Sequence, residues 1–417
     1  MKKDFFKLTP PEEVFKIIDR FSSVDEQEQI PIDQALGRVI SEDIYANSDI
    51  PGFYRATMDG YAVRAKDTFG ASTTLPALLE VVGEVKMGEV PKIKVKEGQA
   101  VKISTGGMLP EGADGVVMIE YCHLIDDKTL EVEKAVSPLE NVMLPDDDVK
   151  KGELLLKKGK RLRPQDIGVL AGIGMEYVKV FRKPKIAIIS TGDEIIPINH
   201  TPKPGQVRDI NRFTLSCLCR IFGAEPVFLG ICPDDFNSLR AYLKNGLNIA
   251  DSVWISGGSS VGVRDLTLSV FESLNNFELL VHGIAISPGK PTIIGKVGKK
   301  PVIGLPGQVS SAFIVAEVFM SRLIKVLSGE MPEEIVLEIE ALMTRNVESA
   351  TGREDYIRVK LMKQNGKLFA DPIIGKSGLI SPLVEADGLV KIDANKEGVY
   401  KGETVKVIPF SSRGALW

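Results

Sequence analysis

The chain has 417 residues, 44% hydrophobic and 26% charged, an ordinary balance for a folded globular protein. A formal charge of −4 argues against a nucleic-acid binder, which depends on excess Lys and Arg. No apolar run approaches the ~20 residues of a membrane helix, and at about 150 residues per domain the length predicts roughly three domains.

Thr9-Pro10-Pro11-Glu12 is predicted to open a helix, with Thr9 as cap and Glu12 closing a capping box. Val14, Ile17, Ile18 and Phe21 mark its apolar face. A second helical stretch is predicted over Ile32–Ile40. From about Ala46 to Asp147, short alternating runs such as Leu79–Val82 and Ala100–Ile103, broken by Gly and Pro, predict a β-rich insertion. Arg163-Pro164-Gln165 then starts another helix. The first domain is therefore expected to be discontinuous, residues 1–46 and 151–178, around an insertion at 47–150.

Residues 179–329 alternate strand and helix. Lys185–Ser190, Val227–Ile231, Val253–Ser256, Val281–Ile286, Thr292–Ile294 and Pro301–Ile303 are the predicted strands. Asp209–Phe222, Asp235–Leu247, Asp265–Leu274 and Gln308–Leu327 are the predicted helices, the first three led by Asp, as the helix dipole favours. This alternation predicts a parallel sheet with right-handed crossovers. Beyond 330 the period becomes two, over Ile335–Leu342, Tyr356–Leu361, Leu368–Pro372, Gly388–Ile392 and Val405–Val407. Residues 330–417 are read as a small all-β domain.

Three loops follow successive predicted strands: Thr191-Gly192-Asp193-Glu194, Asp234-Asp235, and Gly257–Gly262 with Asp265 beyond it. In a parallel α/β sheet, loops at the carboxyl strand ends share one crevice. Glycines let amides approach an anion and carboxylates suit Mg²⁺, so the crevice reads as a magnesium–phosphoanhydride site. Singly, each Asp is as well explained as a helix cap.

Other readings compete. Gly258–Gly262 fits G-x-S-x-G, but only His282 follows Ser260, with Asp265, Glu272 and Glu278 between them, too close for a hydrolase triad. Gly283–Lys290 resembles a P-loop with one residue too many, and Pro291 where Ser or Thr should hold Mg²⁺. Lys290, between Pro288-Gly289 and Pro291, still makes a fixed cation for an anion. Gly304-Leu305-Pro306-Gly307 could close on a ligand or be a plain strand-to-helix turn. Of the four cysteines, Cys122, Cys217, Cys219 and Cys232, none forms C-x-x-C, so thiols in a reducing cytoplasm are expected. Met1-Lys2-Lys3-Asp4 lacks the apolar core of a signal peptide. Only three histidines, His123, His200 and His282, limit any mechanism that needs a His base.

Taken together, an ordered set of segments resembles the molybdopterin molybdenumtransferase family, MoeA and the E domain of gephyrin. The set is Met58-Asp59-Gly60-Tyr61-Ala62-Val63, Ser104-Thr105-Gly106, Pro110-Glu111-Gly112-Ala113-Asp114, Ser190-Thr191-Gly192-Asp193-Glu194, Asp209-Ile210-Asn211, Ser256-Gly257-Gly258, Ser260-Val261-Gly262 with Asp265, Pro288-Gly289-Lys290-Pro291 and Gly304-Leu305-Pro306-Gly307. The resemblance implies a multidomain α/β plus β fold: an elongated N-terminal domain, an inserted β-rich domain, a MogA-like three-layer α/β domain and a C-terminal β-barrel. It implies insertion of molybdate, or tungstate, into adenylylated molybdopterin with Mg²⁺ or another divalent cation, releasing AMP. It also implies a homodimer with the site shared between chains, and a MogA-like adenylyltransferase as pathway partner.

By that resemblance Glu194, Asp234 and Asp265 take catalytic and metal roles, with Asp59 as a further catalytic residue from the partner's inserted domain. Gly257, Gly258, Ser260 and Gly262 contact phosphate. Thr105 and Asp148 come from the inserted domain. Ser287, Lys290, Pro306, Arg358 and Ser377 hold pterin or oxyanion. The chain departs from the family pattern at Ser287, where Lys is frequent; at Gln308-Val309, where Asn-Pro or His-Pro is frequent; and at Met143-Leu144-Pro145, where an Arg-rich run is common. Fewer cations imply altered oxyanion handling, such as tuning to tungstate. A non-catalytic molybdopterin-binding scaffold like gephyrin, or an adenylyltransferase, remains the alternative function.

Overall fold

The computed structural model describes residues 8–257, 261–331 and 337–411, with the side chains of 261–265 outside that description. The α/β unit holds six strands: β1 (Lys185–Thr191), β2 (Glu225–Cys232), β3 (Ser252–Ser256), β4 (Phe277–His282), β5 (Ile293–Val297) and β6 (Lys300–Leu305). Their order across the sheet is β2-β1-β3-β6-β5-β4. β2, β1, β3 and β6 run parallel, so their carboxyl ends point one way.

β1 reads as a continuous apolar run because both of its faces are covered. Ile186 and Ile188, with Trp254 of β3, face α1 (Asn211–Ile221) in one core, whereas Ala187, Ile189, Val253 and Ile255 face the other. Side chains this completely buried contribute about 1.5–3 kcal/mol each. The second face is closed by α2 (Phe236–Ile249) and α3 (Val261–Glu272). Asp235 caps α2, its side chain accepting the Ser238 N–H at 2.8 Å.

Several sequence expectations are corrected. β4 and β5 pair antiparallel with their neighbours, giving the parallel sheet a mixed edge. Gly298 (φ 60°) and Lys299 alone connect β5 to β6, too short for a parallel crossover. α3 begins four residues before Asp265, so that residue does not lead its helix. The helix after β6 starts at Val309 and passes through a π segment, Ala316–Met320. The first helix is Pro11–Ile18, without a side-chain cap. Thr9 instead bridges to Ile284, its N–H donating to Gly283 O at 3.0 Å. Ile32–Ile40 holds only the short 3₁₀ turn Ile32–Gln34. Gly37 (φ 72°) breaks it, and the Gly37 and Ile40 amides bond to Leu162 and Lys160 carbonyls.

Gln27–Pro31 pairs with Tyr177–Phe181, and Ile44–Tyr45 with Leu154–Leu156, so the chain returns to its start after an excursion. The excursion contains a six-stranded sheet with Gly60–Val63 between Gln99–Ile103 and Gly115–Met118. The C-terminal strands Glu354–Gln364, Lys367–Pro372, Ile339–Met343, Thr404–Pro409 and Gly388–Ile392 pair in that order, and the last returns to the first, closing a barrel. Ile286–Ser287 adds in parallel to Glu354–Asp355, stitching the α/β unit to the barrel. No helix among the described residues is long and apolar enough to cross a membrane.

Candidate active site

The strand order reverses between β1 and β3, the switch point at which open α/β sheets form their ligand crevice. Gly257 follows β3 so closely on β1 that an added Cβ would lie 2.3 Å from Thr191 O and 2.6 Å from its Oγ1. The Thr191 hydroxyl donates to Asp234 Oδ1 at 3.0 Å, and the Asp234 N–H donates to Asp193 Oδ1 at 3.2 Å. The acidic loops after β1 and β2 are thus one hydrogen-bonded unit. At Gly192 (φ 145°) a Cβ would meet Glu194 Oε2 at 2.7 Å, so glycine lets that carboxylate fold back over its own turn. Burial pushes the Asp234 carboxyl above its ordinary range; Asp193 and Glu194 add to this and the Thr191 bond opposes it.

Among the described residues no group of three His, Cys, Asp or Glu side chains converges as a complete metal cage. Glu194 and half-buried Asp234 nevertheless suit Mg²⁺, which commonly takes one or two carboxylates and completes its shell with substrate phosphate and water. Gly258 and Ser260 lie outside the described residues, as does the side chain of Asp265, and of Gly262 only its place in α3 is described.

Sequence reasoning left Asn211 out of the site, although its motif was visible. Asn211 Nδ2 donates to Ser256 Oγ at 2.8 Å and to Gly307 O at 2.9 Å, tying the ends of β3 and β6 together.

The turn after β6 leads into a second cavity of about 240 Å³, lined by Ser287, Pro288, Lys290, Pro306, Gln308, Ser311, Arg353 and Ser377 among others. Lys290, Arg353 and three hydroxyls line it; Arg353 Nε pairs with the buried Asp355 carboxylate at 2.9 Å, so among the described residues Lys290 carries the cavity's unpaired positive charge, which favours a compact anion. Gly289 (φ 116°) shapes the Lys290 turn: a Cβ there would sit 2.6 Å from Val315. The Thr292 hydroxyl locks the turn by donating to Gly289 O at 2.7 Å.

Arg358 does not line this cavity. It is buried, and burial pulls its guanidinium below its ordinary value. Nη1 donates to Ser310 Oγ at 2.9 Å and Nη2 to Gly375 O at 2.8 Å. The Ser310 N–H in turn donates to Ser377 O at 2.9 Å. Arg358 therefore fixes the Ser377 loop against the helix beginning at Val309. Arg353, which sequence reasoning passed over, is the arginine at the cavity.

Asp59 and Thr105 lie together on turns at the end of the inserted sheet, the Thr105 N–H donating to Asp59 Oδ1 at 2.7 Å. Asp148 is exposed, held by its N–H to Ile50 O at 3.1 Å. Among the described residues no hydrogen bond or ion pair links these three to the α/β crevice.

A doubly wound α/β unit with acidic loops at its switch point, a cavity beside it, and two β accessory units defines a multidomain α/β plus β architecture. Three family models match in succession along the chain: "MoeA N-terminal region (domain I and II)" at residues 9–174, "Probable molybdopterin binding domain" at 187–326 and "MoeA C-terminal region (domain IV)" at 340–410. A Methanocaldococcus jannaschii protein named for molybdopterin biosynthesis is 37% identical, covering 91% of each chain. The molybdopterin molybdenumtransferase of Bacillus subtilis is 31% identical over 98% of this chain and 96% of its own. The crystal structure of the MoeA molybdopterin biosynthesis protein of Pyrococcus horikoshii superposes with a TM-score of 0.84 at 34% identity, covering 97% and 100% of the two chains. The chain belongs to the MoeA family, which includes the molybdopterin molybdenumtransferases.

Proposed function

We propose that the chain is a cytoplasmic molybdopterin molybdenumtransferase that inserts molybdate or tungstate into adenylylated molybdopterin and releases AMP. The observation that carries this reading is the turn Leu305–Gln308. Gly307 O accepts from Asn211 of α1, which also bonds Ser256 at the end of β3, while Pro306 and Gln308 line the neighbouring cavity. A phosphoanhydride in the crevice and an oxyanion in the cavity would therefore share one wall.

Lys290 and Arg353 would hold the oxyanion, with the hydroxyls of Ser287, Ser311 and Ser377 donating to its oxygens. The backbone at Gly257 would approach the phosphates, and Asn211 would fix the spacing of the two subsites. Glu194 and Asp234, with Asp265, would hold Mg²⁺, which when bound supplies positive charge against the charge developing on phosphate. Asp59, Thr105 and Asp148 act, in this reading, in the site of a second copy of the chain. A MogA-like adenylyltransferase would supply the substrate.

The test is AMP release from adenylylated molybdopterin with Mg²⁺, comparing wild type with Glu194→Gln. Oxyanion-dependent release that collapses in the folded variant supports the proposal. Equal release by both proteins removes Glu194 from the site, and none by wild type contradicts the function.

A further inference from the structure

We infer that Arg55 is a phosphate-binding, specificity-determining residue that the inserted domain contributes to the shared site. The inference rests on the function proposed above.

Arg55 lies on the two-residue strand Arg55–Ala56. Its neighbours across the backbone ladders are Met143 on one side and Met108 on the other, neither able to neutralise a charge. Its side chain lies over Gly106: a Cβ added there would be 2.9 Å from Arg55 Nη2, 3.3 Å from Nε and 3.3 Å from Met87 Cε. Gly106 (φ 88°) thus provides the open floor on which the guanidinium rests. The turn is rigid, because the Gly106 N–H donates to Ala56 O at 2.8 Å and the Ala56 N–H to Gly107 O at 2.9 Å.

Arg55 is exposed, and among the described residues it has no hydrogen-bond or ion-pair partner for its guanidinium. Nearly all other described arginines are paired or stacked, so this is a held but unneutralised cation. Thr105, next to Gly106, donates its N–H to Asp59, which places Arg55 beside that pair. The surroundings also expose flat and soft surface: Phe53 37%, Tyr54 48%, Met58 41% and Met87 56%. Aromatic rings and thioethers suit a planar heterocycle, and a guanidinium suits phosphate by bidentate donation. The chemistry recognised is a phosphorylated planar heterocycle, which adenylylated molybdopterin is at both ends. A lysine would keep the charge and lose the fork.

The experiment compares wild type, Arg55→Gln and Arg55→Lys, after checking that all three melt alike. Loss of a charge-assisted hydrogen bond predicts a KM for adenylylated molybdopterin raised about tenfold or more in Arg55→Gln, with partial recovery in Arg55→Lys. The wild-type KM should also rise with ionic strength more steeply than that of Arg55→Gln. An Arg55→Gln KM within twofold of wild type overturns the inference. If wild type releases no AMP, the proposed function fails separately. Arg55 is then read by pterin-fluorescence titration with molybdopterin, where a tenfold weaker Arg55→Gln supports phosphate binding and equal affinity refutes it.

Discussion

Gly257→Ala gives the sharpest test of how the crevice is built. The added methyl would stand 2.3 Å from Thr191 O, where ordinary contact begins at 3.4 Å. The obstacle is backbone at the end of a buried strand, so one strand end must move by about 1 Å. Overpacking of this kind costs about 1–3 kcal/mol of stability. The functional cost is larger, because Thr191 holds Asp234 through the 3.0 Å hydroxyl bond. A displacement of about 1 Å at such a point can lower the rate about 100-fold. Denaturant unfolding and AMP release on the same preparation separate the two effects. The expected result is modest destabilisation with a near-total loss of turnover. Wild-type activity in Gly257→Ala would refute the idea that the β1–β3 approach sets the carboxylate geometry.

Three further outcomes are expected. In Asp234→Asn, activity should collapse while stability at neutral pH rises. The raised Asp234 pKa means the folded state holds that proton more tightly than the unfolded chain does. Wild-type stability therefore falls as pH rises through the window above the ordinary value of about 3.9, and the variant lacks that fall. Thermal melts from pH 4 to 8 read it. Lys290→Ala and Arg353→Ala should each raise the half-saturating oxyanion concentration about tenfold, read as AMP release against molybdate. Arg358→Met should lose about 1–3 kcal/mol by removing the donor to buried Ser310 Oγ and to Gly375 O, and should loosen the Ser377 loop, shown by faster amide exchange there.

Much of the fold was legible because its signals are local. The buried runs of β1 and β3, and the period-two strands of the barrel, carry their structure in their own residues. What sequence reading missed depended on distant partners. Ile32–Ile40 has a helical composition, yet Gly37 and bonds to residues 160–162 make it an irregular seam. β5 turned antiparallel to β6 through one tight turn at Gly298. Arg353 and Arg358 sit five residues apart in one strand region. Only the wall supplied by Gln308 and Ser311 from the α/β unit shows which one lines the cavity. Asn211 was visible as part of a motif, but its bridge between Ser256 and Gly307 spans 96 residues of sequence and needed the folded sheet.

The most direct test of the central claim is the metal content of the pterin product, measured beside AMP in one reaction with molybdate, tungstate or neither. The account predicts metallated pterin and AMP appearing in equal amounts, and only when an oxyanion is present. AMP released without oxyanion, or released while the pterin stays metal-free, would contradict it.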